Sequence, residues 1–320
     1  MKVSAVLVSY NTKALTVDAI GHALRDCETL DSSEVILVDN DSHDGSVAAV
    51  RSAYPIVQII QNDENVGFGK ANNQAFGICS GEYVLLLNTD AFIHSGCIRA
   101  LTEFLDTHLD VAVVAPRVMN NDGSLQASVH PFPTPLRCWI ENLWLNPFVK
   151  NAFNLRDWRS WAHNETQEVP WVIGACMLVR KSVIDSVGGF DENFFMYSEE
   201  TDWQYRMRKA GWKIWFVHNA EVTHLGGASG GTESLNSKSR FAFFESLDYY
   251  VLKNHSWFGL LFFRAGMFVG SLLRVILWIL VLMLRQSMRT QARYKVSHYV
   301  WLLCRLLTYN RSSHRIGATT

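Results

Sequence analysis

Short apolar runs alternate with segments of helical pattern along the first hundred residues. The apolar runs are VSAVLVSY, EVILVDN, VQIIQN and EYVLLLNTD, and helical patterns lie between them at about 15–25, 46–53 and 69–79. Strands that alternate with helices at these lengths are typical of an α/β fold. The pattern therefore predicts a Rossmann-like, mainly parallel sheet flanked by helices.

The pattern is interrupted over residues 116–170 and then resumes. The interruption is rich in Asn, Pro and Trp, and it predicts irregular loops over one edge of the sheet. After it, WVIGACMLVR predicts a strand, a short helical pattern follows, and Gly188 and Gly189 predict a break. WKIWFVHNAEVTH then predicts another strand or two.

Polar residues follow three of the predicted strands. They are Ser9, Tyr10 and Asn11, then Asp39, Asn40 and Asp41, then Asn88, Thr89 and Asp90. Ligands of parallel α/β sheets bind beyond the carboxyl ends of the strands. We therefore expect these three groups to emerge together at one ligand site.

Individual residues at these positions suggest chemistry, and each also has a simpler structural interpretation. Asp90 could bind a divalent cation through oxygen, although an acidic turn or helix cap is the commoner role. Asp39 could accept the ring N–H of a uracil or thymine, while Asp44 and the Gly-Ser after it suit a turn and a helix start. His224 precedes a glycine pair, and a lone histidine is usually structural.

The segment NVGFGKANN has two glycines, Gly67 and Gly69, before a predicted helix that contains Asn72. Glycines at this spacing could let the backbone approach a phosphate or a sugar. The third glycine of the dinucleotide-binding fingerprint is missing, which argues against a nicotinamide or flavin site.

Three acids stand together in NFFMYSEETDWQYRMRKAGW, residues 193–212. Glu199, Glu200 and Asp202 would complement the dipole in the first turn of a helix, and Gly211 suits the residue just past its end. A well-capped surface helix is the structural interpretation. The functional interpretation is a carboxylate that accepts a proton, and the choice between the two depends on the other motifs.

The charge is divided unevenly along the chain. The formal net charge is −1, from 29 Lys and Arg against 30 Asp and Glu. Residues 249–320 hold ten of the basic residues and no acidic one, which leaves 19 basic and 30 acidic residues, a balance of −11, in residues 1–248. A basic tail after an acidic body predicts an anionic partner for the tail. Six scattered cysteines and the lack of a secretory signal pattern indicate a reducing, cytosolic setting.

Residues 257–284 of this tail are strongly apolar but include two arginines. An Arg near the bilayer centre costs on the order of 3 kcal/mol, which disfavours a spanning helix. On a helical wheel five arginines fall within an arc of about 100°; they are Arg264, Arg274, Arg285, Arg289 and Arg293. We therefore expect an amphipathic helix in the membrane interface, with its arginines toward lipid phosphates. A helix docked on the protein, or a tilted hairpin with its bend at Gly266 and Gly270, is the alternative.

Six motifs, in this order, resemble glycosyltransferase family 2, and especially its rhamnosyltransferase-like branch. They are VSYN, VDNDSHDGS, NVGFGKANN, LLLNTD, GGFDENFFMYSEETDW and VTHLGGAS. The resemblance covers roughly residues 3–254 and implies a domain over residues 1–254 with a GT-A fold. The basic, apolar composition of residues 255–320 predicts a helical membrane-association region after it. The resemblance also implies a nucleotide-sugar donor, a divalent metal (Mg²⁺ or Mn²⁺) and transfer with inversion.

By position in these motifs, the resemblance implies where the donor and the metal bind. Asp39 falls where the family contacts the donor base. The other expected donor-site residues are Ser9, Tyr10, Asn11, Asn40, Asp41, Gly67, Asn72, Asn88, Thr89 and Asp90. Asp90 falls on the last acid of the metal-binding Asp-x-Asp-type motif, in which Asn88 replaces the first acid. His224 falls on the histidine that completes the metal site in relatives.

The same resemblance implies that Glu200 is the general base, with Glu in place of the family's Asp. Glu199 is the alternative base, and Asp202 would orient the helix start or bind acceptor hydroxyls. A base is needed because a sugar hydroxyl is too weakly acidic to attack an anomeric carbon unaided.

The resemblance makes dTDP-L-rhamnose the first candidate donor, with another dTDP- or UDP-hexose or a galactofuranosyl donor as alternatives. The basic, apolar tail leads us to expect a lipid-linked saccharide acceptor at the cytoplasmic leaflet of the plasma membrane, as in the assembly of bacterial surface polysaccharides such as O-antigen. No nucleic-acid partner is expected. Five tryptophans could stack on acceptor sugars or serve packing alone; they are Trp139, Trp144, Trp158, Trp161 and Trp171. The competing hypothesis is a non-catalytic membrane-bound scaffold, which the altered positions Asn88 and Glu200 favour.

Overall fold

The computed structural model describes residues 2–28, 30, 32–149, 158, 161–226 and 237–308. The chain divides into two compact units. Unit 1 comprises Met1–Phe132 and Asp157–Ser246, and unit 2 comprises Pro133–Arg156 and Leu247–Thr320. The expected boundary after residue 254 lies inside a long helix.

Unit 1 begins with the alternation of strands and helices that the apolar pattern predicts. The elements are β1 (Lys2–Ser9), α1 (Lys13–Cys27), β2 (Ser32–Asp39), α2 (Ser46–Ala53), β3 (Gln58–Gln61), α3 (Phe68–Phe76), β4 (Tyr83–Asn88), β5 (Ala91–Ile93) and α4 (Cys97–Thr107). The predicted turn before α2 forms as expected, since Gly45 has a φ of +82° and the carboxylate of Asp44 accepts from the amide of Ser46.

The remaining elements complete both units. They are β6 (Val111–Met119), β7 (Val129–His130), α5 (Pro135–Asn142), α6 (Asn146–Val149), β8 (Gln167–Glu168), β9 (Trp171–Val172), β10 (Cys176–Arg180), α7 (Lys181–Val187), α8 (Glu199–Lys209), β11 (Lys213–His224), α9 (Ser237–Leu284) and α10 (Arg289–Leu307). A 3₁₀ turn over Gln286–Met288 joins α9 to α10. The predicted break after α7 is confirmed, because Gly188 follows that helix with a φ of +86°.

Unit 1 is built on one mixed sheet with the order β3-β2-β1-β4-β10-β6-β11-β5, and β8 pairs with β11. The pairs β1–β2, β1–β4, β2–β3 and β6–β11 are parallel, whereas β10 lies antiparallel between β4 and β6. Ser9 pairs with Asp39, and Val8 pairs with Asn88. The polar residues after β1, β2 and β4 therefore emerge at one edge of the sheet, as the sequence predicts.

Both faces of this sheet are covered, which explains the continuous apolar runs. Leu85 and Leu86 are neighbours in β4 and are fully buried in different clusters, because successive side chains of a strand point to opposite faces. The face with Leu85 packs against α1 and α4, and the face with Leu86 contains Phe76, Phe190 and Trp203. Each fully buried Leu contributes about 1.5–3 kcal/mol.

The prediction of irregular structure over residues 116–170 is wrong in part. β6 continues to Met119, and α5 begins in this stretch with Thr134 as its N-cap, whose hydroxyl accepts from the amide of Arg137 at 3.2 Å. Pro135 occupies the first turn, where its missing N–H costs nothing. The Thr-Pro pair is therefore a helix-start signal that the high content of Asn, Pro and Trp obscures.

Unit 2 consists of the helices α5, α6 and α10 and most of α9. The helical backbone of α9 is interrupted at Ser256, with a φ of +67°, and not at Gly266 or Gly270. A Cβ on Gly266 would lie 3.0 Å from the Trp139 ring, and one on Gly270 would clash with Asn142. The alternative of a hairpin with its bend at these two glycines is therefore wrong. They are the positions at which α5 packs closely on α9, and Trp139 Nε1 donates to the carbonyl of Phe262 at 2.8 Å.

The two arginines of the apolar segment are bound inside unit 2. Arg264 donates to the carbonyl of Leu306 at 2.7 Å and lies 3.8 Å from the Asp248 carboxylate. Arg274 donates to the backbone and side-chain oxygens of Asn142, both at 3.1 Å, with its guanidinium over the Trp144 ring. The expectation that these two side chains reach toward lipid phosphates is wrong, because other parts of unit 2 already supply their acceptors.

One helix in the described part of the chain is long and apolar enough to cross a membrane, as judged by length and composition. It spans Ser239–Leu284, and little of its most apolar window is buried within the protein. Six large apolar residues near its end are exposed: Ile276, Leu277, Ile279, Leu280, Met283 and Leu284. Exposed apolar surface of this kind marks an interaction with lipid or protein.

Candidate active site

Asp90 and His224 lie in direct contact, although they are far apart in the sequence. β4 carries Asp90 just past its end, and the pairing of β5 with β11 places Ala91 opposite His224. His224 Nε2 lies 3.2 Å from Asp90 Oδ1, and the amide of Leu225 donates to the carbonyl of Asp90 at 3.0 Å. The strand pairing thus brings together the two residues that the motifs single out as metal ligands.

The donor atoms of this pair suit a divalent cation. The other carboxylate oxygen, Asp90 Oδ2, and the ring nitrogen His224 Nε2 are both buried without a hydrogen-bond partner among the described residues. A buried acceptor without a donor is costly, unless a cation is its partner. Within the same part of the chain, no group of three or more His, Cys, Asp or Glu side chains could hold a metal ion. Mg²⁺ is bound through one or two carboxylates when substrate phosphates and water complete its shell, and Asp90 fits that arrangement.

Asp39 offers a second buried acceptor at the same edge of the sheet. Its side chain is fully buried, Oδ1 accepts from the amide of Ser42 at 2.9 Å, and Oδ2 has no hydrogen-bond partner in the described structure. The ring of Tyr10 is half-exposed beside the register pair of Ser9 and Asp39. A buried carboxylate oxygen next to an accessible aromatic ring can take an N–H donor on a flat, stacked ring.

The loops after β1 and β2 are joined by hydrogen bonds that shape this edge. The amide of Asn11 donates to Ser42 Oγ at 2.9 Å, and the amide of His43 donates to Asn11 Oδ1 at 2.8 Å. Asn11 and Asp41 both have positive φ angles, +52° and +65°. Two non-glycine residues in this strained region are typical of a functional site.

Several expected donor-site residues are used in contacts within the protein. The Ser9 hydroxyl is buried and lies 2.9 Å from the Thr16 hydroxyl. The side-chain Nδ2 atoms of Asn40 and Asn72 donate to the backbone carbonyls of Gly67 and Phe68, at 3.3 and 2.9 Å. These contacts stabilise the loops around the site, whereas Asn88 is partly exposed and Thr89 lies 3.2 Å from the Thr12 hydroxyl.

The acid cluster opens α8 after a strained turn. Tyr197 and Ser198 have φ angles of +71° and +63°, and the turn is supported by Ser246, whose hydroxyl donates to the carbonyl of Met196 at 2.7 Å. Burial raises the pKa of Glu199 well above its ordinary value, and the charge of Glu200 raises it further. Burial also raises the pKa of Glu200, against the opposing effect of nearby backbone amides.

One acid of the pair is therefore protonated more readily than an ordinary glutamate. Two buried carboxylates this close cannot both ionise easily, so they share titration as a pair. Glu199 Oε2 and Glu200 Oε2 are buried and have no hydrogen-bond partner among the described residues. Glu200 retains partial solvent access, while Glu199 is buried. Glu200 is therefore the more accessible residue of the pair.

Asp202 has a different environment from the two glutamates. Its buried carboxylate accepts from Arg206 Nε at 3.0 Å, and Arg206 also donates to the carbonyls of Val187 and Gly189. The ion pair holds the start of α8 against the break after α7. This arrangement matches the helix-orienting role that the sequence suggests for Asp202.

Glu200 is connected to the sheet edge through a short backbone segment. A Cβ on Gly174 would lie 3.8 Å from Glu200 Cβ and Cγ. The neighbouring residue, Ala175, accepts a hydrogen bond from the amide of Asn88 at 2.9 Å, two residues before Asp90. The base candidate and the metal-ligand candidates are thus on adjoining segments of unit 1. Gly227, Ala228 and Ser229, the last residues of the VTHLGGAS motif, lie outside the described residues.

Two glutamines contribute to the site without having been predicted. Gln126 Oε1 lies 2.7 Å from His224 Nδ1. Gln204 accepts from the amide of Val172 at 2.9 Å and donates to its carbonyl at 2.7 Å, which fixes β9 beside α8. A place for Gln204 beside Glu200 could have been predicted, since the two residues are one helical turn apart. Gln126 had no such signal, because its partner is distant in the sequence.

The mixed, mainly parallel sheet of unit 1, with polar residues at one edge, has the GT-A fold. The family model for Glycosyl transferase family 2 matches residues 4–188, more than half of the chain, and the chain belongs to this family. The predicted GT-A fold and family are thereby confirmed.

A curated relative agrees with the family, and solved structures show the same fold. The chain is 32% identical over 202 residues to N-acetylglucosaminyl-diphospho-decaprenol L-rhamnosyltransferase of Mycobacterium tuberculosis, which covers 59% of this chain and 66% of that protein. The mannosyltransferase PcManGT from Pyrobaculum calidifontis, in complex with GDP-Man and Mn²⁺, superposes with a TM-score of 0.58 at 15% identity, over 96% of this chain and 87% of that one. GalNAc-T7 with UDP, GalNAc and Mn²⁺ superposes with a TM-score of 0.52 at 16% identity, over 70% and 44% of the two chains.

Proposed function

We propose that the protein is an inverting, metal-dependent glycosyltransferase that moves L-rhamnose from dTDP-L-rhamnose to a lipid-linked saccharide in the assembly of a bacterial surface polysaccharide. The observation that carries the proposal is the contact between Asp90 and His224, with two buried acceptor atoms that lack donors among the described residues. The similarity to the mycobacterial rhamnosyltransferase supports the sugar and the acceptor class. A different dTDP- or UDP-hexose, or a galactofuranosyl donor, is the competing assignment.

Asp39 and Tyr10 would bind the base of the donor. Uracil and thymine share an imide N–H, from which Asp39 Oδ2 can accept a hydrogen bond, and Tyr10 presents an accessible ring for stacking. A carboxylate in this place disfavours bases that present only acceptors there. The residues therefore suit a base with a ring N–H, such as the uracil or thymine of the proposed donors, and are equally compatible with dTDP and UDP.

Asp90 and His224 would hold the divalent cation beside the donor diphosphate. When bound, the cation would offset the negative charge that develops on the departing diphosphate. With two protein ligands, such a cation would keep coordination positions open to diphosphate oxygens and water. The replacement of the first motif acid by Asn88 leaves an uncharged oxygen donor at that strand end.

Glu200 would act as the base. The acceptor hydroxyl loses its proton to a Glu200 carboxylate oxygen while its own oxygen forms the bond to the anomeric carbon. The bond from that carbon to the diphosphate oxygen breaks on the opposite face, so the configuration inverts and the nucleoside diphosphate leaves. A raised pKa suits this role, because a base works best when its pKa approaches the working pH.

Unit 2 would attach the enzyme to the cytoplasmic leaflet that carries the acceptor lipid. The end of α9 is exposed and apolar, and its two arginines are bound inside unit 2. Arg285, Arg289 and Arg293 are exposed just beyond that surface. An apolar surface bordered by arginines suits insertion into acyl chains below a layer of lipid phosphates.

A donor screen tests the proposal. Purified protein with Mn²⁺ and a detergent-dispersed undecaprenyl-diphosphate-N-acetylglucosamine acceptor would be given dTDP-L-rhamnose, UDP-glucose, UDP-galactose or UDP-galactofuranose, and released nucleotide measured. We expect turnover with dTDP-L-rhamnose and an anomeric configuration in the product, read by NMR, that is opposite to that of the donor. Nucleotide release from a UDP-sugar, without release from dTDP-L-rhamnose, would overturn dTDP-L-rhamnose as the donor and assign that UDP-sugar in its place.

Two variants separate the roles of the adjacent glutamates. Glu200→Gln should lower transfer by about 10²–10⁴-fold while nucleotide binding is kept, because only the proton acceptor is lost. Glu199→Gln should retain most of the activity. The reverse result would assign the base to Glu199, and normal transfer by both variants would mean that neither glutamate is the base. The non-catalytic scaffold predicts instead no transfer by the wild type and normal complementation in cells by Glu200→Gln.

A further inference from the structure

We propose that Gln126 is a positioning residue that fixes the ring tautomer of His224, so that Nε2 presents a lone pair beside Asp90. Gln126 lies in the hairpin after β6 and has no part in the motifs of the family resemblance. Its Oε1 atom lies 2.7 Å from His224 Nδ1. The inference rests on the proposed function, because it concerns the metal-ligand pair named there.

A chain of hydrogen bonds with a single possible direction sets the orientation of the Gln126 amide. The carboxylate of Asp122 can only accept, so the Ser124 hydroxyl donates to it at 2.6 Å. Ser124 Oγ then accepts from Asn120 Nδ2 at 2.9 Å, which leaves Asn120 Oδ1 to accept from Gln126 Nε2 at 3.1 Å. The Gln126 oxygen therefore faces the histidine, and it can only accept a hydrogen bond.

The tautomer of His224 follows from this orientation. Nδ1 must carry a hydrogen in order to donate to Gln126 Oε1. In the neutral ring, Nε2 then has a lone pair, and it lies 3.2 Å from Asp90 Oδ1. Two acceptors at this separation repel each other, unless a cation lies between or beside them. The hydrogen bond that His224 Nδ1 donates to Gln126 thus prepares the pair for a metal ion, in the manner of the outer-shell partners that orient metal-binding histidines.

The backbone next to His224 is built around Gln126. Gly226 has a φ of +57°, and a Cβ on it would lie 2.9 Å from Gln126 Nε2. Leu225, which lies between His224 and Gly226, donates its backbone N–H to the carbonyl of Asp90. A side chain at position 226 would displace the Gln126 amide, so the glycine and the glutamine form one arrangement that holds His224 against Asp90.

Selective ¹⁵N-histidine NMR tests the tautomer without metal or substrate. The signals of His224, among the eleven histidines, are assigned by their loss in His224→Gln. We expect a protonated Nδ1 and an unprotonated Nε2 in the wild type, and a shift toward protonated Nε2 in Gln126→Leu, which removes the acceptor at similar length. A wild-type ring protonated at Nε2 alone would overturn the inference.

Binding of Mn²⁺ in the presence of dTDP, followed by the EPR signal of free Mn²⁺, gives the second measurement. We expect Gln126→Leu to weaken Mn²⁺ binding about 10–100-fold. The matched control is Gln58→Leu, which changes an exposed glutamine of β3 that donates to Glu34 and should bind as the wild type does. Unchanged binding by Gln126→Leu would overturn the inference.

Further variants distinguish this inference from the proposed function itself. If Asp90→Asn abolishes Mn²⁺ binding but Gln126→Leu does not weaken it, only the role of Gln126 fails. If Asp90→Asn leaves binding unchanged, the metal site of the proposed function fails and the inference falls with it. Should Gln126→Leu not fold, Gln126→Glu carries the test, because a carboxylate also accepts from Nδ1; a tenfold loss of Mn²⁺ affinity in that variant would overturn the inference.

Discussion

The carbonyl oxygen of Phe195 lies 2.6 Å from the position that a Cβ atom on Gly67 would occupy. Gly67 has a φ of +86°, and the amide of Phe68 donates to the same carbonyl at 3.1 Å. The absence of a side chain therefore lets the loop before α3 contact the loop that leads into α8. Through this contact the expected donor loop and the segment before Glu199 hold each other in place.

Gly67→Ala should both destabilise the protein and lower activity. Gly67 has a φ of +86° and a ψ of 167°, a region that costs a non-glycine residue about 1–3 kcal/mol, and the clash with the Phe195 carbonyl adds about 1–3 kcal/mol. Gly188→Ala is the matched control, since Gly188 has nearly the same backbone angles, +86° and 165°, and a Cβ there would meet only Arg206 Nη1, at 3.8 Å. Chemical denaturation of both variants checks the difference. Equal losses of stability would mean that the Phe195 contact is unimportant.

Glu199→Gln should stabilise the protein more at pH 8 than at pH 5. The pKa of Glu199 in the folded protein is raised above the ordinary value of 4.5, so the folded state holds a proton that the unfolded state releases. The free energy of unfolding therefore falls as pH rises from the ordinary to the raised pKa. An uncharged glutamine removes this fall, and thermal unfolding at the two pH values measures it.

The control for this prediction is Glu103→Gln, an exposed glutamate on α4. It should change the melting temperature equally little at both pH values. A Glu199→Gln variant that gains nothing at pH 8 would show that the buried pair does not hold a proton there.

Much of the sheet and its ligand edge is predictable from the sequence, for a physical reason. β1, β2 and β4 are buried on both faces, so they read as continuous apolar runs that end at the polar residues of the site. The side-chain contacts across the fold are not predictable in this way. Gln126 meets His224 only because of how β6, its hairpin and β11 pack, and one sequence contains no signal for that contact.

The arginines of α9 are a second case in which tertiary contacts could not be predicted from the sequence. A helical wheel treats a helix as isolated, and it assigns Arg264 and Arg274 to a polar surface. In the folded protein Arg274 binds Asn142, on a helix that comes more than a hundred residues earlier. The contact with Asn142 directs the Arg274 guanidinium into unit 2, so the helical periodicity alone assigns this side chain to the wrong face of α9.

Asp202→Asn should cost about 3 kcal/mol, as expected for loss of one partner of a buried ion pair. This is the lower end of the usual range, because the Arg206 side chain is 24% exposed and partly solvated. Asp185→Asn is the control, as it breaks an i,i+4 pair with Lys181 in which Asp185 is 60% exposed. That change should cost under about 1 kcal/mol. Urea denaturation compares the two, and similar costs would contradict the structural role of Asp202.

Asp39→Asn should weaken dTDP and UDP binding about tenfold, because a charge-assisted hydrogen bond to the base is about twice as strong as a neutral one. Titration calorimetry measures the affinities. UDP methylated at N3 of the uracil gives the control, since it has no N–H to donate. Wild type and variant should bind this analogue equally, and a persistent tenfold difference would place Asp39 away from the base.

Leu280→Glu should weaken membrane binding by at least tenfold. Leu280 is exposed near the end of α9, and burying a charge among acyl chains costs several kcal/mol, whereas a leucine gains by transfer. Flotation with vesicles of phosphatidylcholine and phosphatidylglycerol measures the bound fraction. Ser297→Glu is the matched control, because it adds the same charge at an exposed position of α10. Since only Leu280 belongs to the exposed apolar surface of α9, equal losses in both variants would mean that net charge, and not insertion of this surface, governs attachment.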